Sequence, residues 1–265
     1  MLELNKLYCE NCLDTMAKMP DNFCDLTVTS PVYDNLRDYN GYSFEFEKIA
    51  QELYRVTKKG GMVTWIVNDQ YIKGSRSLTS FKQAIYFKEQ CGFNIHDVMI
   101  YQKSGFNFPA NNRYHQVYEF IHVLSKGKPK TFNPIMDKKN AYPGQKAHGK
   151  HRGANENDCV DMSKIVKAKP AGEYGKRYNV WYVKVGGGHV AAEKIAHKHP
   201  AIFPESLAGD LITSFSNPGD LVYDPFVGSG TSAKMAKILN RNYIGCDLSQ
   251  EYIDIANERI NGILI

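Results

Sequence analysis

Toward its C-terminal end the chain reads Leu221-Val222-Tyr223-Asp224-Pro225-Phe226-Val227-Gly228-Ser229-Gly230-Thr231, then a stretch of helical character, then Tyr243-Ile244-Gly245-Cys246-Asp247-Leu248. An apolar strand runs into a glycine-rich turn, a helix follows, and a second strand ends in a carboxylate. This order constrains the fold more than any other feature. It is the layout by which an open α/β sheet holds a nucleoside-bearing ligand at its strand ends. Gly228 and Gly230 are expected to let backbone approach the ligand where a Cβ would collide. Asp247 follows Asp224 by 23 positions, about where a carboxylate accepts hydrogen bonds from ribose hydroxyls.

A second signal lies some two hundred residues upstream. Phe23-Cys24-Asp25-Leu26-Thr27-Val28-Thr29 alternates and β-branches like a strand. It leads into Ser30-Pro31-Val32-Tyr33-Asp34-Asn35-Leu36-Arg37-Asp38-Tyr39. A hydroxyl, a proline and an aromatic at a strand's C-terminal end suit a site that grips a flat, amino-bearing group.

Together the two segments resemble the amino-group DNA methyltransferases, whose catalytic motif is Ser/Asp/Asn-Pro-Pro-Tyr/Phe. That family transfers a methyl from S-adenosylmethionine to N4 of cytosine or N6 of adenine. Lys59-Gly60-Gly61-Met62-Val63 is similar to the family's turn before a central strand, and Tyr118 to Gly127 to the strand that closes its catalytic half. His199-Pro200-Ala201-Ile202-Phe203-Pro204-Glu205 resembles the helix start before the cofactor turn. The order, catalytic motif before cofactor motif, matches the circularly permuted β group.

The resemblance implies a class I fold: α/β, a Rossmann-like, mostly parallel sheet flanked by helices, with a small irregular inserted recognition region. It assigns catalysis to Ser30, Pro31, Val32 and Tyr33. The Ser30 hydroxyl and the Pro31 carbonyl would accept hydrogen bonds from the target amine, and Tyr33 would stack on a base flipped out of the duplex. For S-adenosylmethionine it implies Asp224, Pro225, Phe226, Gly228, Ser229, Gly230 and Thr231 on the turn, then Asp247 and Leu248. Phe203 joins them, as do Asn11 and Cys12, which stand where the family carries an Asp-Cys pair. Val32 replaces the family's second proline, freeing a torsion and adding an N–H beside the target. Both a working enzyme and a catalytically impaired DNA- or cofactor-binding protein are compatible with that change. Ser30 favours cytosine N4, and adenine N6 stays open. Methylation of a protein glutamine amide is a third reading, against which the basic character of the central segment argues.

That segment carries most of the charge asymmetry. From Lys126 to Lys198 there are sixteen Lys and Arg against six Asp and Glu, a local excess of +10 in a chain whose formal total is +5. A basic stretch in a mildly acidic body reads as a footprint for a polyanion, here double-stranded DNA. Lys138, Lys139, Lys176 and Arg177 are its candidate contacts, and Arg37 either touches the DNA backbone or orders its own loop. Pro129, Pro134, Pro143, Pro170 and Gly186-Gly187-Gly188 break this stretch, and Trp181 is expected to pack back onto the body.

Three intervals follow: 1–126 as the catalytic half, 127–198 as the recognition region, and 199–265 as the cofactor half. In the first, Phe46, Ile49, Leu53 and Val56 recur at helical spacing, with Gly60 the expected stop after Lys58 and Lys59. Composition is ordinary for a soluble globular protein, with 43% hydrophobic and 23% charged residues. With no signal-like apolar segment at Met1–Lys6, no apolar run of the ~20 residues a bilayer span needs and six scattered cysteines, a cytoplasmic protein is expected. Cys9 and Cys12 lack a second cysteine pair, so a zinc site is not expected. A monomer or homodimer, alone or beside a cognate restriction endonuclease, fits this reading.

Overall fold

A computed structural model describes residues 2–31, 44–105, 112–146, 151–155, 159–186 and 188–263. Elements follow in the order β1 (Lys6–Cys9), α1 (Cys12–Ala17), β2 (Cys24–Thr29), α2 (Phe46–Val56), β3 (Thr57–Val67), the hairpin β4 (Tyr71–Ile72) and β5 (Ser75–Arg76), α3 (Thr79–Tyr86), β6 (Asn94–Lys103) and β7 (Tyr118–Ser125). After them come β8 (Lys138–Lys139), β9 (His151–Ala154), β10 (Val160–Val166), β11 (Tyr174–Gly175), β12 (Val180–Val183), α4 (Glu205–Phe215), β13 (Leu221–Asp224), α5 (Thr231–Ile238), β14 (Asn242–Asp247) and α6 (Gln250–Asn261).

Eight strands form one sheet in the order β1-β14-β13-β2-β3-β7-β6-β12. From β1 through β3 every neighbour is parallel, β7 runs antiparallel to both β3 and β6, and β12 returns parallel to β6. The expected mostly parallel sheet is present. Its central strands are apolar on both faces because helices cover both: all of β2 is buried except Asp25, and β13 is buried throughout. The α2 stripe of Ile49, Ala50, Leu53 and Val56 is fully buried and joins Trp65, Phe87, Phe93 and Tyr223 in the main core.

The helix α2 ends earlier than the Gly60 signal suggests. The Thr57 hydroxyl donates to the Leu53 carbonyl at 2.6 Å and turns the chain into β3, so Lys58 to Gly61 already run as strand. Gly60 has another reason to be glycine: φ is +82°, and a Cβ would lie 2.4 Å from Lys130 Cγ. Trp181 packs as expected, 6% exposed in β12, which extends the main sheet instead of belonging to an irregular insert.

Two compact units result: residues 1–133 with 179–265, and Pro134–Tyr178. Within the second, β9 pairs with β10 and β8 with β11, both antiparallel. This unit holds ten Lys and Arg against five Asp and Glu, and so carries the chain's whole excess of +5. Among the described residues no helix is long and apolar enough to cross a membrane.

One buried group gives the fold a pH dependence. His122 on β7 is 2% exposed, stacked on Phe120 with ring centroids 5.9 Å apart. Burial pushes its pKa down to about 4, outweighing the opposite pull of the Ser80 backbone and Asp69. The fold thus favours the neutral ring. Its contribution is intact above pH 6.5 and is lost as pH falls from there toward 4, by roughly 2–3 kcal/mol. In urea unfolding at pH 7 and pH 4, His122→Gln should shift the stability difference between the two pH values by that amount, in favour of pH 4; an unchanged difference would refute the assignment.

Candidate active site

The sheet order makes a crevice. From β13 the chain crosses through α5 to β14 on one side, and from β2 through α2 to β3 on the other, while β13 and β2 lie side by side. Two crossovers that diverge from adjacent parallel strands leave an opening at their carboxyl ends, where α/β sheets bind ligands. Both sequence motifs end there: Thr29-Ser30-Pro31 on β2, and Asp224-Pro225-Phe226 on β13.

Asp224 joins them. Its Oδ1 accepts from the Thr29 hydroxyl at 2.7 Å and from the Phe226 backbone N–H at 3.0 Å. Its Oδ2 accepts a short hydrogen bond from Ser232 at the start of α5. The carboxyl is 5% exposed. Burial pushes its pKa up to about 6, against the lowering effect of the hydrogen bonds from Ser232, Thr29 and Phe226. Asp224 therefore acts as a clasp between two loops 195 positions apart. Thr29 and Ser232 escape a motif reading because each is one hydroxyl beside a longer signature; the signal is a polar residue closing an otherwise apolar strand.

The glycines of the turn have physical reasons that differ from the expected one. Gly228 has φ +48°, and a Cβ there would lie 2.9 Å from His199 Nε2; Gly230 has φ +82°, and its Cβ would lie 2.6 Å from Ala256 Cβ on α6. In both cases the collision is with protein. Gly230 lets α6 pack onto the turn, and Gly228 makes room for the His199 ring, which meets Tyr252 edge-on at 4.4 Å.

Asp247 ends β14 on the same edge. Its Oδ2 accepts from Gly228 N at 3.0 Å and its Oδ1 from Ser249 N at 2.9 Å. Burial raises its pKa, opposed by hydrogen bonds from the Ser249, Gly228 and Leu248 backbone. A carboxylate has about four acceptor positions, so with three backbone donors already on it one position remains for a hydroxyl donor, as a ribose supplies. Nearby, half-buried Phe226 lies 5.7 Å from half-buried Phe44, centroid to centroid, two rings suited to a flat base, and it backs onto fully buried Trp65 at 6.3 Å. The turn, the carboxylate and the rings fit a nucleoside-bearing cofactor.

The other candidates distribute unevenly. Ser30 is half-buried and Pro31 buried; Val32, Tyr33 and Arg37 lie outside the described residues. Asn11 sits close to Asp247, since Cys9 and Asp247 are register partners, but its side chain caps α1, accepting from Leu13 N at 2.9 Å. Cys12 is 4% exposed and packs in the core. Leu248 is 50% exposed, and Phe203 is half-buried just before α4.

In the second unit, Lys139 pairs with Tyr174 and Lys138 with Gly175, so one short ribbon brings together Lys138, Lys139, Lys176 and Arg177. Lys139 and Lys176 are exposed. Lys138 donates to the Tyr178 hydroxyl at 3.0 Å, and Arg177 holds Asp137 Oδ2 through Nε and Nη2 at 2.8 and 2.5 Å.

The DNA methylase family model, that of N6 and N4 methyltransferases, matches residues 24–258. The chain belongs to this family. It is 54% identical over 242 residues to the orphan methyltransferase M.BamHII of Bacillus amyloliquefaciens, a match covering 91% of this chain and 90% of that one. It is 30% identical to the type II methyltransferase M1.MboII of Moraxella bovis, with both chains covered in full. The fold is that of the PvuII cytosine-N4-specific DNA methyltransferase, with a TM-score of 0.68 at 20% identity over 98% of this chain and 88% of that one. It is also that of M1.HpyAVI in complex with S-adenosylmethionine, with a TM-score of 0.62 at 21% identity over 97% and 98%. This chain is thus a DNA methyltransferase of the N6/N4 family.

Proposed function

We propose that the enzyme methylates N4 of cytosine flipped out of double-stranded DNA, with Ser30, Pro31 and Tyr33 receiving the base. The observation that carries this reading is the Thr29–Asp224 hydrogen bond of 2.7 Å. It fixes the residue before Ser30 to the residue that opens the cofactor turn, so acceptor groups for an amine stand beside the methyl donor's cradle.

An exocyclic amine is a weak nucleophile because its lone pair is delocalised into the ring. The Ser30 hydroxyl and the Pro31 carbonyl accept its two N–H bonds, pulling electron density back onto nitrogen and orienting the lone pair. Tyr33 stacks on the extruded base, which offsets the cost of unstacking it. S-adenosylmethionine supplies a methyl carbon made electrophilic by an adjacent sulfonium. Asp247 would hold its ribose, Phe226 would border its flat ring, and the Gly228–Thr231 turn would hold the remainder. Serine at position 30 favours cytosine through the family resemblance, and Val32 is taken as a tolerated variant of the motif proline. The naming of the 54%-identical relative as an orphan methyltransferase supports a solitary enzyme over one paired with a restriction endonuclease. Nucleoside mass spectrometry of DNA methylated by the parent, Val32→Pro and Tyr33→Ala enzymes tests the reading.

The ribbon of Lys138, Lys139, Lys176 and Arg177 is assigned to the DNA backbone. Affinity should fall steeply with salt, each neutralised phosphate adding roughly 0.9 to the slope of log K against log salt. Lys138→Gln/Lys139→Gln should flatten that slope by one to two contacts. Lys176→Gln/Arg177→Gln should flatten it likewise. A slope indifferent to all these substitutions would remove the ribbon from the interface.

A further inference from the structure

Arg259 lies on the buried stripe of α6, flanked by Ala256 and Ile260, and its side chain is wholly buried. Nε and Nη2 donate to Glu193 Oε2 at 3.2 Å and to Glu205 Oε1 at 2.6 Å. Nη1 reaches the cofactor turn: it donates to the Ser229 carbonyl, and to Ser229 Oγ and Thr231 Oγ1 at 3.2 Å each. Lys234 of α5, 6% exposed, contacts the same two carboxylates at 2.5 and 2.7 Å. Burial pushes Glu193 up, yet the hydrogen bonds from Lys234 and Arg259 hold it below its ordinary value.

Two cations and two carboxylates balance in charge, so the network satisfies itself without a ligand. It is also more than a helix staple. The remaining arm of the guanidinium ends on the turn backbone, and Asp247 takes the Gly228 N–H of the same turn. A planar fork can meet two carboxylates and a carbonyl at once, whereas an ammonium of the same charge cannot.

We infer that Arg259 is a positioning residue for S-adenosylmethionine, its guanidinium orienting the Ser229–Thr231 backbone and the Glu193–Glu205–Lys234 network holding it in place. This rests on the assignment of the Gly228–Thr231 turn to the cofactor. Binding then depends on the geometry of the fork as well as on its charge.

The experiment is calorimetric titration of the purified enzyme with S-adenosylmethionine, alongside thermal unfolding without ligand and initial rates on DNA. Arg259→Lys, which keeps the charge but loses the fork, should weaken binding at least tenfold and raise KM for the cofactor. It should leave kcat within about twofold of the parent. Glu205→Gln, which keeps Arg259 and the side-chain volume, should weaken binding at least threefold, and it carries the test if Arg259→Lys does not fold. Asp247→Ala serves as the reference for the turn. If Asp247→Ala binds tenfold more weakly while folded Arg259→Lys and Glu205→Gln bind like the parent, Arg259 has no positioning role and the inference falls alone. If all three bind like the parent, the turn is not the cofactor site and the underlying assignment falls with it.

Discussion

Gly230→Val should lower the melting temperature by roughly 4–20 °C. The position has φ +82°, and a Cβ there lies 2.6 Å from Ala256 Cβ and 2.9 Å from Ala256 Cα. A left-handed backbone costs a β-branched residue about 1–2 kcal/mol, and forcing α6 off the turn adds about 1–3 kcal/mol or more. For a chain of this length each 1 kcal/mol moves the melting temperature by roughly 2–4 °C. Gly219 provides the control. Its φ is +87°, yet nothing lies within 4 Å of its Cβ direction, so Gly219→Val carries the strain without the clash. Scanning calorimetry on both separates the two effects. Equal melting temperatures for the two variants would mean that α6 does not rest on the turn.

Asp224→Ala should cost both stability and turnover. Its removal leaves the buried Thr29 and Ser232 hydroxyls and the Phe226 N–H without their acceptor, at roughly 1–3 kcal/mol for each group left unsatisfied. Because the clasp sets Ser30-Pro31 against the cofactor turn, methyl transfer should fall about a hundredfold even where the variant is folded, since misplacement of ~1 Å is worth that much. Asp224→Asn should retain most of the stability. It also unmasks a pH effect. A buried carboxyl with a pKa raised to about 6 stabilises the fold below pH ~4 and loses that contribution as pH rises through 6. His122 works in the opposite sense over nearly the same interval, its pKa lowered to about 4. The parent's stability should therefore be nearly flat from pH 4 to 6. Asp224→Asn should make it fall with acid, and His122→Gln should make it rise. Measured parent activity with Asp224→Ala would show that the clasp does not position the site.

How much of this was legible in the sequence depended on the range of the signal. The strand–turn–helix–strand–carboxylate pattern ending at Asp247 could be read because every part is local and each residue type has a conformational reason. The α2 stripe was legible for the same reason. Its end was misplaced because Gly60 looks like a helix stop, while the Thr57 hydroxyl had already closed the last turn. Strand β12 was hidden among prolines and glycines, since four residues, Val180–Val183, carry little periodicity and join the sheet only through β6. The reading of Gly228 and Gly230 as space for a ligand missed their neighbours, His199 and Ala256, because those are brought in by tertiary packing. Thr29–Asp224 and the Arg259 network were out of reach for the same reason, although an arginine on the apolar stripe of α6 was itself a hint of a buried partner.

The most direct test of the account is nucleoside mass spectrometry of DNA from cells expressing the enzyme, compared with cells expressing Tyr33→Ala. N4-methylcytosine is expected from the parent, at equal or higher level from Val32→Pro, with a loss of roughly 5- to 150-fold from Tyr33→Ala, because base stacking is worth roughly 1–3 kcal/mol. N6-methyladenine in its place would overturn the choice of base, and an unmodified genome from the parent would contradict the claim that the Ser30–Tyr33 segment is a working methyl-transfer site.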